Sequence, residues 1–201
     1  MFFIPNNDVC SMHLDAEIEN KIRARAIHIL RNGREEWDVP HTLACVYWIK
    51  EILKHERGNA KIIIPAVYLH DIAYGILAVE NTRSSVMNLK KEHMKEGARM
   101  SREILKEIGG FSEEEVERVA FLVGTHDKLD ELTTHDQQLV FEADSLGQID
   151  RDRVKPTFSK EDAQLSLERF KLNRAPRFKT ETGKKFLSLL MHKAEKYNLS
   201  L

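Results

Sequence analysis

Apolar residues recur along most of this chain at a spacing of three and four, the signature of helices with one buried face. Ile18, Ile22, Ala26 and Ile29 line up in a first segment that Asp15 can cap and that Asn32-Gly33 stops. A second helix is predicted from Asp38, as cap, with Pro40 in its first turn; His41, Cys45, Trp48 and Ile52 share one face until Gly58-Asn59. A third, from Ala60 to about Tyr74 with Pro65 in its first turns, is apolar nearly all round after Lys61, as a central helix wrapped by others would be.

Residues 75 to 88 lose the period and read as a long connection. Helical spacing returns from about Leu89 to Ile108, closed by Gly109-Gly110. Ser112 and Glu115 then form a capping-box signature for a helix ending near His126. After a polar loop at 127 to 134, further helices fit His135 to Ile149, about 159 to 172 and about 177 to 197, with a basic linker at 151 to 158. No alternation typical of strands runs beyond four residues. The pattern predicts an all-α bundle of seven or eight helices forming a single domain over 1–201, with a core at about 38–150 and C-terminal helices at about 157–198.

Composition narrows the class. The 201 residues, 42% hydrophobic and 31% charged, suffice for one substantial core. Thirty-one Lys and Arg against 32 Asp and Glu leave a net charge of −1, so no sequence-wide field favours nucleic acid or an anionic membrane. No apolar run approaches the roughly 20 residues of a membrane span. Two cysteines, Cys10 and Cys45, with no leader pattern, predict a reducing cytoplasmic setting. Nine histidines against two cysteines point metal chemistry towards imidazole and carboxylate ligands.

His70-Asp71 ends the most apolar segment, where an unpaired carboxylate costs several kcal/mol. At about 100° per residue, His41 points with Cys45, Trp48 and Ile52; His93 with Gly97, Met100 and Ile104; Asp144 with Val140, Phe141 and Gln148. His126 ends the stripe Val119, Leu122 and Val123. Separate helices thus aim His41, His70, Asp71, His93, His126 and Asp144 inward, the way helical bundles build metal sites. Oxygen and nitrogen donors without sulfur suit Mn, Fe, Ni, Co or Zn, and six groups can serve one ion or two.

The order His41, His70-Asp71, His93, His126, Asp144 resembles the H…HD…H…H…D signature of the HD-domain metal-dependent phosphohydrolases. The contexts PAVYLHDIAYG, HMKEGARMSREIL and FEADSLGQID, with SLERFK and KTETGKKF near the end, are similar to the YedJ-like subgroup, so the resemblance spans nearly the whole chain. Asp127 and the pair Glu142-Ala143 depart from its usual pattern. The resemblance implies that His41, His70, Asp71 and Asp144 hold one divalent ion, and that His93 and His126, with Asp71 bridging, hold a second. With one ion, His93 or His126 becomes free for acid-base work beside Asp71.

The implied substrate is a small phosphate ester such as a nucleotide; assembly into a homo-oligomer is left open. Two alternatives stand beside this reading: a di-iron oxygenase, and a regulatory module that binds ligand without turnover.

Lys128 and Gln148 are candidate substrate contacts, against a solvated lysine and a backbone-bonded glutamine. Arg83 is similar to Lys128. Arg151, Arg153 and Lys155 read as a solvated basic face, Cys45 as a small buried hydrophobe, and Thr180 to Lys185 as a helix start. His13, His28, His55, His135 and His192 read as surface residues.

Overall fold

The computed structural model describes residues 14–34 and 36–200, so the expectations for Cys10 and His13 lie outside the described residues. Among those described, the protein is all-α, and no helix is long and apolar enough to cross a membrane.

Helix α1 (Ala16–Leu30) starts where Asp15 Oδ1 accepts from the amides of Glu17 and Ile18, both at 3.0 Å. Helix α2 (Asp38–Ile52) departs from expectation at both ends. Asp38 is not its cap. The carboxylate instead turns back to the amide and guanidinium of Arg34, a buried pair that ties α2 to the end of α1. The helix also stops at Ile52, and a turn at 53 to 56 leaves Asn59 free to cap α3 (Ala60–Leu69) by accepting from the Lys61 amide at 3.0 Å.

Apart from Lys61, every residue of α3 is buried, and the helix packs against α1, α2, α5, α6 and α7. It ends before the expected Tyr74. The chain breaks at His70-Asp71 and continues as a 3₁₀ turn, Ile72–Gly75. At that break the consecutive side chains of His70 and Asp71 reach the same place, with His70 Nε2 3.5 Å from Asp71 Oδ2.

The long connection holds a short helix, α4 (Arg83–Asn88), capped by Thr82, which is why the count is nine α-helices among the described residues and not seven or eight. Six residues with no buried member carry no apolar stripe, so the periodicity could not report them. Helix α5 (Lys90–Ile108) ends at Gly109, whose φ of 75° suits glycine. Capping boxes start α6 (Glu113–Thr125) at Ser112 and Glu115, and α7 (His135–Ile149) at Thr134 and Gln137. Ser159 caps α8 (Lys160–Asn173); a 3₁₀ turn at Ala175–Arg177 then leads to α9 (Glu181–Ser200), which packs on α7 and α8.

Two helix pairs set the distances that matter. A Cβ on Gly97 of α5 would lie 3.1 Å from Val123 Cγ1 of α6, and a Cβ on Gly147 of α7 would lie 3.2 Å from the Cys45 amide nitrogen of α2. Glycine lets each pair approach at these points. The first pair carries His93 and leads into His126; the second carries His41 and Asp144.

Candidate metal centre

All six inward-facing groups meet, and all are buried. His41 Nε2 lies 3.3 Å from His70 Nε2 and 3.1 Å from Asp144 Oδ1. His93 Nε2 lies 3.3 Å from His126 Nε2. Asp71 stands between the two sets: Oδ1 is 3.5 Å from His93 and 3.6 Å from His126, while Oδ2 is 3.5 Å from His70 and 3.7 Å from His41.

The helix ends explain how the rings are aimed. His70 Nδ1 donates to the Val67 carbonyl at 2.8 Å, and His126 Nδ1 to the Val123 carbonyl at 2.7 Å. Each bond reaches back three residues and places the ring proton on Nδ1. The neutral ring therefore turns the Nε2 lone pair inward. His93 Nδ1 faces the Tyr74 hydroxyl at 3.2 Å, and the two rings stack.

Electrostatics favours neutral imidazoles beside ionised carboxylates. Burial pulls His70 down, and His93 down to about 4, outweighing the carboxylates nearby. Burial would raise Asp71, but the imidazoles around it, His70 foremost, hold it well below its usual range. Asp144 is held low against burial by Arg174, His41 and His70. His126 moves the other way: burial lowers it, and its hydrogen bond and charge interaction with Asp71 outweigh that, leaving it raised.

Cys45 Sγ sits 3.6 Å from His41 Nε2, within the first set. Burial and the negative charges of Asp144 and Asp71 push its thiol well up. It stays a neutral thiol.

The chemistry of this donor set fits a metal. Bonds of about 2.1 Å to one ion place neighbouring donors roughly 3 to 3.5 Å apart. His41, His70 and Asp144 Oδ1, at 3.1 to 3.7 Å from one another, form one group close to this spacing, and Asp71 Oδ1, His93 and His126, at 3.3 to 3.6 Å, another. Imidazole nitrogens 3.3 Å apart, with ionised carboxylates beside them, are a set that a cation between them would satisfy.

The centre lies on a cleft of about 1030 Å³ lined by ten Lys and Arg against five Asp and Glu. A chain of near-zero net charge therefore concentrates positive charge here. Lys128 lines the cleft and pairs with Glu131 at 3.1 Å, while Gln148 donates weakly to Asp144 Oδ1 at 3.5 Å; Arg83 also lines it.

The basic cluster after α7 is not uniformly solvated as expected: Arg151 is buried because it folds back onto the end of α7, while Arg153 stacks over Tyr47 and pairs with Asp150. His28, His55, His135 and His192 are exposed, as expected.

Sequence reasoning missed Arg174. Buried at the end of α8, it donates to Asp144 Oδ2, to Asp127 Oδ1 at 2.7 Å and to Ser145 Oγ at 2.9 Å. No periodicity marks an arginine just past a helix end, though the unusual Asp127 was a signal that a cation lay near. Lys90 completes the line by pairing with Asp127 at 2.9 Å. Glu142, the other departure, does not line the cleft. It accepts from the Lys179 and Thr180 amides and so organises the start of α9.

A helical bundle that gathers four histidines and two aspartates on a basic cleft belongs to the class of buried histidine-carboxylate centres. The family model described as HD domain matches residues 39–148, over half of the chain, and every residue of the cluster lies within that span. This chain belongs to the HD domain family. Neither the curated proteins nor the solved structures yield a match.

Proposed function

We propose that the protein is a metal-dependent phosphohydrolase, close to the YedJ-like subgroup and working in the cytoplasm as a single domain, that hydrolyses a phosphate ester of a nucleotide or other small molecule. In this reading His41, His70, Asp71 and Asp144 hold one divalent transition-metal ion, and His93, His126 and Asp71 a second. The observation that carries it is Asp71, whose two oxygens face different histidine pairs at 3.5 to 3.7 Å. A carboxylate so placed suits two ions or one.

Bound metal would supply Lewis acidity and an acidified water. The chain's own groups do the rest. Neutral His70 and His93 offer lone pairs near pH 7, Arg174 balances the charge of Asp144, and the basic lining draws an anion into the cleft. Lys128 and Gln148 lie where they can touch it. The volume suits a ligand of nucleotide size.

The test is Mn- or Co-stimulated hydrolysis across a panel of phosphate esters, with Asp71→Ala as the control. The expected result is loss of activity with the helical fold intact; unchanged activity would sink the reading. The same two-set arrangement also supports a di-iron oxygenase. Two irons per chain with oxygen uptake and no hydrolysis would favour it, whereas tight binding of a single Mn or Ni with no oxygen uptake counts against it.

A further inference from the structure

Among the cations lining the cleft, Arg83, Lys91, Arg151 and Arg169 form no ion pair with any described residue. Arg151 differs from the others in being buried, with 9% of its surface exposed. Its Nη1 donates to the Gln148 carbonyl at 2.8 Å, at the end of α7, and its Nε has no hydrogen-bond partner. The neighbouring Asp150 is already engaged by Trp48 Nε1 at 2.9 Å, Arg153 Nη1 at 2.8 Å and the Asp152 amide at 3.2 Å.

Closing a helix end occupies one of the five N–H groups of a guanidinium. A buried cation with no ion-paired carboxylate is costly, and here burial pulls its pKa down to about 10 against the opposing charge interactions of Tyr197 and Asp150. The fork of an arginine matches the oxygens of phosphate or carboxylate.

We propose that Arg151 forms a second anion subsite of the cleft, so that the ligand carries an oxyanion at each end. Arg151 follows Asp144 by seven residues but lies beyond the end of α7 at Ile149, folded back onto the Gln148 carbonyl one turn from Asp144. Phe158 and Trp37, near-parallel with ring centres 6.3 Å apart, line the same cleft and offer an apolar wall for the body of the ligand. Only the assignment of the first anionic group rests on the phosphohydrolase reading; the subsite itself does not.

The probe is inorganic phosphate, titrated into the full chain freed of metal by chelation and held at constant ionic strength. Acetate and chloride serve as parallel arms. Binding is followed by calorimetry and by the arginine side-chain N–H resonance that disappears in Arg151→Lys. The expected result is a saturable shift of that resonance with phosphate and at least a tenfold loss of affinity in Arg151→Gln, against less than twofold in Arg23→Gln, an exposed arginine outside the cleft.

A shift with acetate as strong as with phosphate would support the subsite and assign it to carboxylates. Chloride giving the same shift, phosphate failing to move the resonance, or undiminished affinity in Arg151→Gln would overturn the proposal. Should Arg151→Gln not fold, the wild-type resonance decides. Absence of hydrolysis with every metal would defeat the phosphohydrolase reading and leave this binding result standing.

Discussion

Arg174 and Asp144 form a buried ion pair in which the guanidinium takes Oδ2 and leaves Oδ1 of the same carboxylate 3.1 Å from His41 Nε2. One oxygen is anchored and the other is presented. Groups that orient a metal ligand in this way typically change affinity by about 10- to 100-fold when removed. Arg174→Met is therefore expected to weaken Mn or Zn binding by that order, measured by competition with a chelating dye. Arg174→Lys, able to reach one carboxylate as a point charge, is expected to recover part of the loss. Equal metal affinity in all three proteins would remove Arg174 from the site.

The same substitution bears on stability without metal. Taking away the buried cation strands Asp144, while Asp127 keeps Lys90; leaving such a buried charge unpaired costs about 3 to 5 kcal/mol. Urea denaturation of metal-free Arg174→Met should show a loss of that size, and the double variant Arg174→Met with Asp144→Asn should recover some of it. Recovery is expected because the stranded charge is then gone.

Close helix approach makes a separate prediction. A methyl group on Gly147 would press on the Cys45 backbone and thiol, and overpacking of this kind costs about 1 to 3 kcal/mol. Gly147→Ala should lower the melting temperature and, by parting α2 from α7, weaken metal binding as well. A Gly109→Ala control, with nothing within 4 Å of the added carbon but a φ of 75°, should lose stability and keep its metal affinity.

For pH dependence, His93 gives a defined sign. Its folded pKa of about 4 lies below the unfolded value of about 6.5, so between these values the unfolded chain binds the proton more readily. Its contribution to stability is complete above about pH 6.5 and is lost as pH falls towards 4. The urea midpoint of metal-free protein should fall across that window, and the fall should be shallower in His93→Gln. A variant with an unchanged slope would show that His93 does not titrate this way.

Metal addition should stabilise the fold by mass action, by about 2.7 kcal/mol at a hundredfold excess over the dissociation constant. Scanning calorimetry with and without Mn or Zn tests this. Asp71→Asn, which weakens the shared carboxylate of both sets, should remove most of the gain; a full gain in that variant would place the metal elsewhere.

Much of this centre was legible from helical phase. His41, His93 and Asp144 could be aimed inward because each lies on a long helix with a clear apolar stripe, and phase is all that such an inference needs. His70-Asp71 was legible as an anomaly, a charge ending the most apolar segment. The break in the helix at which its two side chains meet was not, since a helix and a 3₁₀ turn share nearly the same spacing over four residues.

Arg174, Arg151 and the Arg34–Asp38 pair were illegible for another reason. Each acts through a contact made at or beyond a helix end, where periodicity no longer constrains direction. Asp38 illustrates the error: an aspartate at a helix start looks like a cap, and only the fold shows a guanidinium competing for it.

The ties of Arg174 to Asp144 and of Glu142 to the start of α9 join both sides of the boundary at residue 148 where the family match ends. An excised segment 39–148 would lose the counter-charge of Asp144 and the partners of a fully buried glutamate in a single cut. Swapping the C-terminal helices between relatives is thus not a neutral graft: it would replace part of the centre's electrostatic balance, giving evolution a way to retune the site without altering any of the six residues gathered in it.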